Sequence, residues 1–133
     1  MSEVKIVKPD QRDTSTAQTP GMNRAEGCGA NTVGAEHLWV GSVTVDKGVR
    51  SGAHHHGELE SVIYIISGRA RFRFGDNLEH TVEAEPGDYV FVPPYLVHQE
   101  INASDAAPVD MVVARSSQEN VVVNVDVKGA DEG

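Results

Sequence analysis

The chain has 133 residues, eleven Lys and Arg against twenty Asp and Glu, a net charge of −9 with histidine neutral, and 39% hydrophobic residues. That length suits one domain with a core that needs no staples, and the acidic balance repels nucleic acid phosphates and anionic lipid, whose recognition needs a basic face. No apolar run approaches the ~18 residues of a membrane span, the opening MSEVKIVKPDQRDTST lacks the apolar core of a secretory signal, and Cys28, the single cysteine, excludes an internal disulfide and a thiolate metal cluster. The expectation is a cytoplasmic protein whose partner is a small molecule, a second subunit or a cation, with no nucleic acid and no membrane.

In chain order, residues 1–35 show no sustained period of 2 or 3.6 and read as an irregular N-terminal arm, with Met22 and Val33 as points that anchor it over the domain or over a neighbouring subunit. From His37 onward, short runs rich in Val, Ile, Phe and Tyr alternate with Gly, Pro, Asp or Asn. They predict strands near 38–46, 51–56, 60–67, 69–75, 78–84, 88–93, 96–102, 108–115 and 120–127 within a domain spanning 36–127. Residues 128–133 are expected to be a disordered tail. Many short strands at this spacing indicate an all-β sandwich or small barrel.

Two strands declare their faces. In 69–74, period 2 sets Ala70, Phe72 and Phe74 on one side and Arg69, Arg71 and Arg73 on the other. With acids so abundant, cross-strand ion pairing is expected of these arginines, ahead of an anion-binding stripe. Residues 62–66 are apolar on both faces, so this strand calls for cover from a second sheet or a second subunit. Together with the arm, it leads to the expectation of a homodimer.

Five of the six histidines fall within 54–98, three of them consecutive. In a strand, His54 and His56 point to one side and His55 to the other. Two imidazoles one pleat apart can take adjacent positions on one metal ion, although an isolated pair is equally a polar surface strand; further ligands from another strand are needed. Gly48, His54, His56 and Glu60 are followed by Gly87, Pro93, His98 and Asn102. In these residues the chain resembles the cupin superfamily in its single-domain, RmlC-like form, whose two motifs are G-x5-H-x-H-x3–4-E-x6-G and G-x5-P-x-G-x2-H-x3-N. One fixed position of the second motif differs: Tyr95 stands where glycine is usual, so a different turn geometry is expected there.

The resemblance implies a double-stranded β-helix, or jelly-roll barrel, here with an extended N-terminal arm. It also implies a divalent ion (Zn, Mn, Fe, Ni or Co) held inside by His54, His56 and His98. The fourth position has two readings. A three-residue spacer makes Glu60 the ligand, with a bulge downstream absorbing the difference. The twelve positions from His56 to Gly68 match the four-residue spacer instead, which puts Ser61 at that position and turns Glu60 away. Glu60 is taken as the expected ligand. Glu100 lies two residues past His98 on the same face and is the candidate for contacting substrate, orienting a ligand or serving as general base. Tyr64 would line the cavity only if Glu60 faces inward.

Such a site supports dioxygenase chemistry with Fe, Ni or Mn, or Lewis-acid chemistry such as isomerisation of a hydroxy-carbonyl compound with Zn, Mn or Co. The other class is a non-catalytic metal- or ligand-holding module acting as sensor or store.

Overall fold

A computed structural model describes residues 2–119 and 121–131. A single 3₁₀ turn at Pro9–Gln11 precedes the strands β1 (Asn23–Cys28), β2 (Trp39–Val45), β3 (His54–His55), β4 (Ser61–Ser67), β5 (Ala70–Phe74), β6 (His80–Ala84), β7 (Tyr89–Val92), β8 (His98–Asn102), β9 (Val109–Arg115) and β10 (Val123–Asn124), with one helical turn, α1 (Ala30–Val33), after β1. They form two five-stranded antiparallel sheets, in the orders β1-β2-β9-β4-β7 and β10-β3-β8-β5-β6. Two facing sheets with these crossovers make the expected jelly roll.

Alternation builds the core. Trp39, Val43 and Val45 from β2, Ile63 and Ile65 from β4, and Val109, Met111 and Val113 from β9 are buried between the sheets, against Ala70 and Phe72 from β5. On β4 the inward residues are Ser61, Ile63 and Ile65, while Val62 and Ile66 are exposed. The doubly apolar strand is therefore covered on one side by the facing sheet and uncovered on the other. Of the three arginines of the 69–74 run, Arg69 and Arg71 pair across strands with Glu83, at 3.2 and 3.7 Å, and Arg73 donates to the Gly129 carbonyl.

Each expected strand is present, with two much reduced. The 51–56 run keeps only His54–His55 as a strand, with the Gly52 amide donated outside the sheet to the Pro20 carbonyl, and of the 120–127 run, whose Asn120 lies outside the described residues, Val123–Asn124 are paired. The arm differs more. Residues 23–28 form β1, paired along β2 with a bulge between Glu26 and Cys28. Its sequence, Asn-Arg-Ala-Glu-Gly-Cys, has almost no apolar signal because its inward face carries charged Arg24 and Glu26. At the other end, residues 128–131 form a turn whose Gly129 and Ala130 carbonyls accept from Arg73 and Gln99; 132–133 lie outside the described residues.

Tyr95 corrects a further expectation. Its φ is +59°, so the turn keeps the left-handed backbone that glycine would take and forces a tyrosine into it. The Tyr95 amide donates to the Gly57 carbonyl at 2.7 Å, tying this turn to the loop after the histidine run. A left-handed non-glycine residue costs about 1–2 kcal/mol, partly offset by the greater backbone freedom of an unfolded glycine. Tyr95→Gly is therefore expected to stabilise the fold by about 0.5–1 kcal/mol, read as a rise of a few degrees in Tm by thermal denaturation; a fall in Tm would contradict this account.

Candidate metal centre

β3 and β8 are paired so that His54 lies opposite His98, which brings two histidines from distant parts of the chain onto one face. His56 follows one pleat after His54. All three are buried, and their rings sit 4.3–5.2 Å apart, centre to centre. One nitrogen from each lies within 4.8 Å of the other two. His55 points the opposite way, where its Nδ1 accepts from the Gly57 amide.

The orientation of the rings is fixed by the backbone. Nδ1 of His54, His56 and His98 lies 2.9, 2.9 and 3.0 Å from the carbonyl oxygens of Gly52, Val121 and Leu96. A carbonyl can only accept, so each Nδ1 carries a proton and donates it. On a neutral ring that leaves Nε2 with its lone pair, the form a metal ligand needs. Burial first, then neighbouring positive charge, lowers the pKa of His56 to about 2 and of His98 to about 4, so both rings are neutral near pH 7. His98 Nε2 is buried without a hydrogen-bond partner. Three buried imidazoles gathered this closely fit a borderline divalent ion.

Glu100 comes to the same place. Its Oε2 is 3.3 Å from His54 Nε2, in a position almost without solvent. Burial raises its carboxyl pKa, but the hydrogen bond and charge of His54 and the charges of His98 and Arg24 outweigh that and hold it below the usual carboxylate range. Two acceptor atoms this close need a positive particle between them, either a proton on Nε2 or a bound cation. On its other side, His54 Nε2 is 3.4 Å from Arg24 Nη2. An apolar pocket of about 220 Å³, lined by residues including Phe72, Phe74, Val90, Val92 and Leu96, runs between the sheets to His98.

Comparisons with known proteins bear on the family and the fold. A family model described as the cupin domain matches residues 41–115. The chain belongs to the cupin family. No curated protein sequence matches it. Among solved structures, Peruvianin-I, a cysteine peptidase from Thevetia peruviana latex, superimposes with a TM-score of 0.74 at 18% identity, over 92% of this chain and 77% of its own. An uncharacterised double-stranded β-helix protein from Klebsiella pneumoniae gives 0.71 at 17% identity, over 93% of this chain and 99% of that one. Oxalate decarboxylase from Bacillus subtilis gives 0.71 at 21% identity over 83% of this chain, which spans only 29% of that enzyme. At these identities the likeness is one of fold.

Against the cupin motif, the acidic position is where this chain departs. Glu60 is exposed, and its backbone is tied to Ser116 in both directions, so the structure does not bring the expected carboxylate ligand to the cluster. Ser61 faces inward instead, 2% exposed. The four-residue spacer sets the register: β4 pairs regularly with β9 from Ser61 to Ile65, and the irregularity that does occur, between Ile65 and Ser67, lies past the site and leaves Glu60 turned outward. Tyr64 accordingly lies on the outer face, against Tyr89. Sequence reasoning passed over Arg24 and Arg115, both buried beside the site. Arg115 was findable, since it continues the inward parity of Val109, Met111 and Val113; Arg24 gave no pattern.

These pKa shifts set a pH dependence. Between pH 6.5 and the folded values near 4 and 2, the unfolded chain binds protons at His98 and His56 that the metal-free fold refuses, so stability falls as pH drops. From pH 7 to pH 5 each ring is expected to withdraw about 2 kcal/mol. Urea unfolding of metal-free protein at the two pH values measures the slope, and His98→Asn should reduce it.

Proposed function

We propose that this cupin is a metal-dependent enzyme acting on a small molecule, with one divalent ion held by His54, His56 and His98 and with Glu100 beside it. The observation that supports the reading best is the buried cluster in which one nitrogen each of His54, His56 and His98 lies within 4.8 Å of the other two. The oxalate decarboxylase neighbour is described with Mn(II) centres, and manganese is compatible here, as are zinc, iron, nickel and cobalt. When bound, such an ion supplies Lewis acidity, or with a redox-active metal a place to bring O2 and substrate together.

The chain's own residues do the rest. The Gly52, Val121 and Leu96 carbonyls hold the imidazoles in the ligating tautomer. The apolar walls of the pocket beside His98 exclude water and admit a substrate smaller than the usual drug-sized ligand. Glu100 is placed to orient a ligand or to take a proton at Oε2. Dioxygenase-type and hydroxy-carbonyl isomerase-type reactions both fit this arrangement.

One observation favours a second reading. A carboxyl held below its usual range is a weak base at neutral pH, which suits a metal- and ligand-holding module that performs no turnover. Elemental analysis of the purified protein, followed by O2 uptake with a panel of thiols, diketones and flavonols, separates the two. One ion per chain is expected in the wild type and in Glu60→Ala, with loss in His98→Ala. Equal, negligible metal in wild type and His98→Ala after loading would overturn the metal reading. Stoichiometric metal with no turnover of any compound would favour the module.

The homodimer belongs to the same proposal. Val62, Ile66, Tyr89 and Phe91 form an exposed apolar patch on the outer face of β4 and β7, in which Val62 lies opposite Phe91. Apolar surface gathered this way fits a second copy. No helix of the described residues is long and apolar enough to cross a membrane. Light scattering after size exclusion is expected to give twice the chain mass, and Phe91→Glu to give one chain.

A further inference from the structure

Two of the three clustered imidazoles are oriented from close by and one from far away. The Gly52 and Leu96 carbonyls that accept from His54 and His98 lie two residues before each ring, on the same stretch of chain. The Val121 carbonyl that accepts from His56 lies 65 residues further along, in the C-terminal segment, at 2.9 Å. His54 and His98 therefore carry their orienting groups with them, whereas His56 borrows one from a separate piece of backbone. On a neutral imidazole, the hydrogen bond made by one nitrogen decides which of the two holds the proton. Partners of this kind are worth about 10–100-fold in metal affinity.

That piece of backbone is lightly attached. β10 adds only Val123 and Asn124 to the edge of its sheet, opposite His55 and His54. Beyond it, the Val125 amide donates to the Ala53 carbonyl at 3.0 Å, and the Gly129 and Ala130 carbonyls accept from Arg73 and Gln99. Each of these bonds uses a main-chain group of the segment. Val121 sits over Gly57, where an added Cβ would come 3.3 Å from its side chain. None of residues 121–131 is buried, while the three clustered histidines are. A segment that buries so little opens locally, at far lower cost than global unfolding. Lifting it would uncover His56 and one edge of β3 and leave the apolar core, to which it contributes no residue, intact.

We propose that residues 121–131 are a strap with a seated and a lifted state, and that Val121 acts through His56 as a positioning residue. Seated, the Val121 carbonyl keeps the His56 proton on Nδ1 and leaves Nε2 for the ion. Lifted, it lets the ring give up that proton to water and take one at Nε2, where it competes with the ion. The strap thereby sets how long the site keeps its metal. Retention rests on the metal reading above, while the hold on the ring is a property of the metal-free chain too.

Three full-length variants separate the strap from the sheet it lies on. Val125→Pro removes the amide hydrogen that reaches Ala53, and Arg73→Met removes the anchor of Gly129. Arg71→Met, on the same face of β5 but paired with Glu83, is the control. In metal-free protein at neutral pH, nitrogen-15 ring shifts are expected to place the His56 proton on Nδ1 in wild type and Arg71→Met. Val125→Pro and Arg73→Met should show a mixture of His56 tautomers, with His98 unchanged. Loaded with cobalt(II), these two should release the ion to EDTA about 10–100-fold faster than wild type, with wild-type circular dichroism. In wild type alone, hydrogen exchange should find the Val125 amide at least about tenfold less protected than the Met111 amide of β9, which decides the matter if neither variant folds. Equal protection of those amides, or an unchanged His56 tautomer or release rate in the folded variants, would overturn the proposal. A wild type that takes up no cobalt yet shows the tautomer shift would instead overturn the metal reading and leave the strap's hold on His56 standing.

Discussion

Three imidazole N–H groups donated to three main-chain carbonyls are what the rest of this molecule turns on. A histidine ring has two nitrogens, and only one can face a metal with its lone pair. Gly52, Val121 and Leu96 take the other nitrogen out of contention on each ring. The three carbonyls belong to separate stretches of chain: the approach to β3, the approach to β10 and the turn before β8. The barrel must therefore close before the rings are aligned, so the fold and the candidate site form together.

Around that triad the interior is polar. Arg24, Glu100, Arg115 and the histidines share a volume that the same sheets, a few residues further along β2, β4 and β9, fill with Val45, Ile65 and Val109. One end of the sandwich is a close-packed apolar core and the other is a chamber of charge. Burying charge costs stability unless partners offset it. The apolar end supplies the surplus that lets the polar end persist. The pressure on His56 and His98 to stay neutral is the same cost seen from the side of the proton.

The departure from the cupin motif has a simple mechanical origin. Side chains alternate along a strand, so one position separates a ligand from a surface residue. The chain carries Glu60 and Ser61 side by side, and the register of β4 with β9 selects the serine for the interior. The carboxylate nearest the histidines comes instead from β8, as Glu100. Tyr95 shows the reverse kind of departure: the residue differs from the motif, yet the backbone keeps the glycine conformation, because the hydrogen bond from the Tyr95 amide to the Gly57 carbonyl holds the turn in place.

Local pattern was enough to read the strands from residue 38 onward, their inward faces, and the pair His54 and His56 with His98 as a third partner, because period-2 alternation and motif spacing are properties of neighbouring residues. It was enough too for Glu100, which shares the parity of His98. β1 stayed hidden because its inward face is charged, and charge in an isolated segment reads as solvent exposure. The role of Ser61 over Glu60 stayed open because two registers differing by one residue are equally legible until a partner strand is laid alongside. The gathering of Arg24 and Arg115 opposite the histidines involves residues 91 positions apart, from two strands separated by β2. Only pairing between distant strands, which no local period encodes, brings such groups into one interior.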